Sequence, residues 1–293
     1  MVATCSLLLT GIARGDPPAP PAPAPPPNPT SRSRSPLEAG QHFTLDPVAD
    51  GTLTVAGFGF NALLGAVLGT GEIRPSLPTV PASSLLPIDR IAVTQTIDPN
   101  ASTYSDIGLY GALGFAVLDP ILSGFRDGWD ALIVDGFMYA ESISFAYVLT
   151  DLAKIAVRRP RPVDYVRCAS ATATFTPPGC NSTDLGLSFF SGHSATIAAI
   201  GATATYLAFV RSPGSARAWL TLGVSTALTA FVSVERVRAG AHFPTDVMAG
   251  SLAGAATGVL VPHLHRHARE APAVWIGVSP VPGGGSLDLT GWF

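Results

Sequence analysis

Charge is what this sequence has least of. Lys, Arg, Asp and Glu make up 13% of its 293 residues, about half the share of an ordinary soluble domain. Basic residues number 17 and acidic ones 20, a formal net charge of −3. No basic surplus is therefore available to track a phosphate backbone, and nucleic acid is not an expected partner. Cysteine is scarce as well: Cys5, Cys168 and Cys180 are the three present. They do not form the paired clusters from which a structural zinc site is built, so a structural metal site is not expected. What abounds is apolar, 47% of the residues being hydrophobic, enough for a large core or for contact with a bilayer.

The apolar residues fall into six weakly charged stretches, near 53–70, 106–125, 131–157, 195–210, 219–234 and 247–263. A helix needs about 20 apolar residues to cross a bilayer. The pattern predicts an all-α, six-helix bundle embedded in a membrane. A soluble helical bundle is the alternative, because Asp119, Asp135, Glu141 and Asp151 lie within the stretches and intramembrane acids must face the bundle interior. Ahead of the bundle, residues 2–13 are apolar but lack preceding basic residues and a clear cleavage site, a poor signal peptide. Residues 16–36 are proline-rich, favour polyproline II and cannot pack a core. Residues 1–44 thus read as an apolar segment and a disordered tether, 45–265 as the main domain and 266–293 as a tail. Within the tail, alternating apolar residues around Pro-Gly-Gly-Gly suggest a short β-hairpin. With a cytoplasmic N-terminus, Arg126, Arg211, Arg217 and Arg266 lie inside, as the positive-inside tendency requires. The basic residues that follow stretches three and five then lie outside, in a position to hold an anion.

Three short elements carry the chemistry. Lys154 and Arg161 are seven residues apart, and on a continuous helix they return to nearly the same face, where two cations can converge on one anion. Pro160 and Pro162 are expected to stop that helix. Taken alone, Lys154, Arg158, Arg159, Arg161 and Arg167 read rather as the basic flank of a membrane helix. Ser191-Gly192-His193 opens the fourth stretch. A helix N-terminus there offers unpaired N–H groups and a partial positive charge, Ser191 can cap it, and Gly192 lets backbone approach an anion. His242 and Asp246 are four apart at the start of the sixth stretch, so the carboxylate can hold one imidazole nitrogen and leave the other as a nucleophile.

In these elements the sequence resembles the type 2 phosphatidic acid phosphatase superfamily, which also holds bacterial acid phosphatases, glucose-6-phosphatase and vanadium haloperoxidases. The family pattern K-x6-RP, PSGH and SR-x5-H-x3-D is met by Lys154 to Arg161-Pro162, by Phe190 to His193, and by Glu235-Arg236 to His242 and Asp246. The resemblance implies a helical bundle of that type and a metal-independent phosphatase working through a phosphohistidine. His242 would attack phosphorus, Asp246 orient it, and His193 protonate the leaving group. Lys154, Arg161, Arg236, Ser191 and Gly192 would hold the phosphoryl oxygens. Three fixed cations can supply the charge that metal ions provide elsewhere, so the resemblance implies no metal and no cofactor. The implied substrate is a lipid phosphate or diphosphate at the outer face of the membrane. A soluble periplasmic acid phosphatase, a vanadate-dependent haloperoxidase and an inactive lipid-binding homologue are the rivals.

Two departures from the pattern stand out, Phe190 in place of proline and Glu235 in place of serine. A carboxylate beside Arg236 repels phosphate unless it is paired, with Arg238 or Arg158 as the candidates. Arg159-Pro160 also competes with Arg161-Pro162 for the family register, although the latter keeps the seven-residue step. Cys168 and Cys180, between the first two elements, are expected to form a disulfide in an oxidising compartment.

Overall fold

The computed structural model describes residues 2–8, 42–70, 76–168, 177–266, 275–281 and 284–292; the proline-rich segment expected to act as a tether lies outside them. The chain divides into two units, Met1–Pro36 with Arg266–Phe293, and Leu37–His265. In the first, strand β1 (Val2–Leu8) and strand β2 (Trp275–Val281) flank strand β3 (Gly284–Trp292), each pairing with it antiparallel. The all-α expectation holds for the larger unit, while the apolar run after Met1, read from the sequence as a poor signal peptide, is β-strand.

That larger unit holds α1 (Ala49–Gly69), α2 (Pro87–Thr94), α3 (Ala101–Asp127), α4 (Trp129–Val157), α5 (Pro162–Arg167), α6 (Gly192–Arg211), α7 (Ala216–Arg238) and α8 (Pro244–Leu264). Each of the six apolar stretches corresponds to one long helix, and α2 and α5 are short additions near the ends. All six long helices are long and apolar enough to cross a membrane. Their outward side chains agree: Ile107, Val117, Phe125, Leu220 and Leu252 are each more than 60% exposed, a surface that water penalises and lipid solvates. This is an integral membrane protein.

The acids inside these helices are partnered across the bundle, as their cost in a membrane demands. Asp135 takes both guanidinium nitrogens of Arg211. Asp119 accepts from the Tyr139 hydroxyl at 2.9 Å and faces Arg217 at 3.4 Å. Asp151 accepts from the Asn61 amide.

One stripe of glycines sets the geometry of the bundle. Gly250, Gly254 and Gly258 recur every fourth residue along α8. A Cβ on each would lie 2.5, 1.9 and 2.3 Å from the carbonyl oxygens of Ser191, Ala195 and Ala199. The backbones of α6 and α8 are therefore in direct contact, the small-residue packing that membrane helices use in place of a hydrophobic driving force. His193 sits in the first turn of α6 and His242 just ahead of α8, so this contact also fixes the spacing of the two histidines.

Candidate active site

The C-termini of α4 and α7 and the N-termini of α6 and α8 meet at one end of the bundle. α4 stops at Val157 because Arg158 turns left-handed at φ 48°. Lys154 and Arg161 thus do not share a continuous helix face, which corrects the expectation from their spacing. Pro162 instead occupies the first turn of α5, where its missing N–H costs nothing. Arg161 is the residue just before it, and its backbone N–H donates to Asp164 Oδ2 at 2.8 Å and to the Leu185 carbonyl at 2.9 Å. The two cations are brought together by a turn.

Arg161 donates through Nε to the Asp184 carbonyl at 2.9 Å and through Nη2 to its carboxylate at 2.7 Å. Arg236 reaches the Ser105 and Ser102 hydroxyls at 3.3 and 3.4 Å, while its Nε is buried without a hydrogen-bond partner. Gly192 lies against Lys154: a Cβ there would meet Thr150 at 3.3 Å and the Lys154 ammonium at 3.9 Å. α7 ends in a turn through Gly240, at φ 66°, after which His242 N–H donates to the Arg236 carbonyl at 3.3 Å. The left-handed conformation is one that glycine adopts without steric cost.

His242 is 2% exposed, and its Nδ1 donates to the backbone carbonyl of Ser188 at 2.7 Å. The Asp246 carboxylate lies 4.0 Å from that nitrogen, too far for a hydrogen bond. Asp246 therefore acts on the imidazole indirectly, a correction to its expected role. It accepts from the Ser188 hydroxyl, from Phe243 N–H at 2.9 Å and from Arg159 Nη1. It holds in place the residue whose carbonyl holds the histidine. With Nδ1 carrying the proton, Nε2 keeps the lone pair. Burial above all, then Arg161, Arg236 and Lys154, hold His242 well below the ordinary histidine range, against the weaker opposite effect of the Ser188 carbonyl. Burial and three nearby cations thus all favour the neutral imidazole.

Arg159 is not part of that cation set. It bridges Asp246 and Asp89, the latter at 2.8 Å, and its guanidinium lies 3.9 Å from the centre of the Phe243 ring. Asp89 in turn accepts from Thr245 N–H at 3.0 Å and from its hydroxyl at 2.8 Å. Arg159 thus anchors the start of α8, and Arg161 takes the site position.

His193 Nε2 is 2.8 Å from Asp106 Oδ1 on α3. Ser191, expected to hold a phosphoryl oxygen, is fully buried, and its hydroxyl caps α6 by accepting from Ser194 N–H at 3.4 Å. Its backbone N–H donates to the Asp246 carbonyl at 3.1 Å. Only its backbone joins the motif elements; the hydroxyl is committed to the helix. Glu235 is paired as the sequence required, its Oε1 accepting from Arg238 at 2.8 Å. Cys168 and Cys180 are joined in a disulfide with Cα atoms 5.9 Å apart, ahead of the segment that carries Asp184 and Ser188.

Sequence reasoning missed Ser188, Asp106, Asp89 and the anchoring role of Arg159. One signal was there to read. Arg161-Pro162-Val163-Asp164 and Phe243-Pro244-Thr245-Asp246 repeat the same helix start, with proline in the first turn and an aspartate that accepts the N–H preceding it. That pattern assigns Asp246 to a helix cap before any catalytic task.

The PAP2 superfamily profile matches residues 135–270, an interval that contains every motif element from Lys154 to Asp246. Residues 135–270 belong to the PAP2 superfamily. A transmembrane PAP2-type phosphatidylglycerolphosphate phosphatase from Bacillus subtilis is similar in structure. It shares 22% identity over 72% of this chain and 94% of that one, at a TM-score of 0.44. LpxE from Aquifex aeolicus shares 20% over 59% of this chain and 90% of that one, at 0.37. No curated protein matches the chain. The PAP2 interval begins inside α4, so α1 and α3, which supplies Asp106 to His193, precede it.

Proposed function

We propose that this PAP2 protein is a membrane phosphatase that hydrolyses a lipid phosphate or diphosphate through a phosphohistidine on His242, without a catalytic metal. The observation that carries the reading is a buried His242 with Nδ1 tied to a carbonyl and with Lys154, Arg161 and Arg236 close enough to disfavour its protonation. Phosphoryl transfer depends on positioning and on charge stabilisation more than on covalent help, and this arrangement supplies both. The Nε2 lone pair forms the N–P bond as the bond from phosphorus to the leaving oxygen breaks. His193, its ring held by Asp106, gives the leaving oxygen a proton through its other nitrogen. Water then attacks phosphorus and returns a proton to His193. The N–P bond breaks with its electron pair going back to His242, and phosphate departs.

A site built from the ends of membrane helices meets substrates at the bilayer surface, which favours a phosphate carried by a lipid. Arg126, Arg211 and Arg217 sit at the opposite ends of α3, α6 and α7. By the positive-inside tendency that end is cytoplasmic and the site faces out. The test is to quench turnover of a ³²P-labelled lipid phosphate in alkali and map the label. Acid-labile phosphate on the His242 peptide, lost in His242→Ala, is expected; label on His193 overturns the assignment.

A further inference from the structure

A second cluster of ligating side chains lies at the far end of the same helices. α8 is capped at its C-terminus by His265, nineteen residues beyond Asp246 (265 − 246), or about 28 Å of helical rise. His265 Nε2 lies 3.2 Å from Asp50 Oδ2, in the first turn of α1, and 3.5 Å from Glu141 Oε2 on α4. One ligating atom from each of the three residues falls within 4.8 Å of the others. The ring is held for this. Its Nδ1 donates to the Val261 carbonyl at 2.8 Å, and the His265 carbonyl accepts from Thr44 N–H at 2.8 Å. Nε2 is thereby aimed at the two acids.

Protein groups leave one acid of the cluster short of a hydrogen-bond donor. Glu141 is 3% exposed, and its Oε2 is buried with no hydrogen-bond partner. Were His265 an imidazolium, its single remaining N–H would be shared between Glu141 and Asp50, whose Oδ2 also accepts from Asp46 N–H at 2.7 Å, and the cluster would stay net negative. Were it neutral with a lone pair on Nε2, three electron-rich atoms would face one another. A dication resolves both problems. One imidazole nitrogen and two carboxylate oxygens form a donor set for first-row divalent metals, whereas calcium and magnesium prefer all-oxygen sites. The bond from Nδ1–H to a carbonyl is the outer-shell contact that metal-bound histidines make. Cysteine spacing in the sequence argued against zinc, but it says nothing about a site whose ligands are 50, 141 and 265.

We propose that Asp50, Glu141 and His265 bind a divalent cation of the zinc class, which pins α1, α4 and α8 together at the end of the bundle remote from His242. The inference does not rest on the phosphatase reading. The test uses the tag-free, full-length protein in detergent, stripped with chelator and then titrated with Co²⁺ or Zn²⁺. Expected are about one cobalt per chain, with the intense visible band of low-coordinate cobalt, and an unfolding temperature that rises with zinc. His265→Ala and Glu141→Gln should lose the band, while His242→Ala keeps it. Chelation should lower the unfolding temperature and leave phosphatase turnover below that temperature unchanged. Absence of stoichiometric cobalt binding to the wild-type chain, a measurement that needs no variant to fold, overturns the proposal. So does an unchanged band in His265→Ala, or an unfolding temperature that follows pH and ignores metal.

Discussion

Replacing Gly254 by alanine places a methyl carbon 1.9 Å from the Ala195 carbonyl oxygen and 2.6 Å from its carbon. Ordinary contact begins at 3.4 Å, so α6 and α8 must part locally by 1.5 Å (3.4 − 1.9). The obstructing atoms are helix backbone and cannot swing away. Alanine returns about 1 kcal/mol of helix propensity, whereas overpacking costs about 1–3 kcal/mol; with immovable backbone as the obstacle the upper end applies, a net loss of roughly 2 kcal/mol. The kinetic effect is larger. His193 rides on α6, His242 leads into α8, and Ser191 N–H meets the Asp246 carbonyl at 3.1 Å across the same seam. A displacement of about 1 Å at a reacting centre costs on the order of 100-fold in rate. Initial rates of phosphate release from a lipid phosphate in micelles, beside unfolding temperatures, measure both effects. Gly65→Ala, where nothing lies within 4 Å, is the control and should keep its rate. A Gly254→Ala protein with wild-type kcat and unfolding temperature would refute the claim that backbone contact between α6 and α8 sets the site.

Asp246→Asn keeps the shape but weakens the charge-assisted bond from Arg159, worth about 1.5–3 kcal/mol. It should fold by circular dichroism with kcat reduced roughly 10- to 100-fold and KM little moved, and a wild-type kcat would break the chain from Asp246 through Ser188 to His242. In the proposed mechanism the neutral imidazole of His242 attacks, and its proton affinity is depressed, so activity should be present above the folded-state pKa and lost as pH falls through it. The acid limb of kcat/KM due to His242 should therefore lie well below about pH 6.5. Arg236→Gln removes one depressing cation and should move that limb upward; a limb that stays in place contradicts the assignment. Cys168 and Cys180 should resist alkylation until the protein is reduced, as read by mass spectrometry, and labelling of both without reductant would show that the bridge does not form.

The sequence by itself determined the six long helices, because a run of some 20 apolar residues with little charge has few other ways to satisfy its backbone in a bilayer. It also marked the residues proposed for the chemistry: Lys154, Arg161, His193, Arg236, His242 and Asp246 are rare polar types at fixed spacings in an apolar chain. The pairing of Glu235 with Arg238 was legible for the same local reason, being three residues along one helix. What those residues touch was decided by the tertiary structure. Ser188 holds His242 from 54 positions away, Asp106 holds His193 from 87, and Asp89 holds Arg159 from 70. No periodicity encodes such contacts, because they arise only when helix ends from distant parts of the chain meet. Asp246 and Ser191 show the same limit from the other side. Asp246 was read for orienting His242 and Ser191 for a phosphoryl oxygen, and both spend their side chains on starting a helix, since buried capping groups must be satisfied before any substrate arrives.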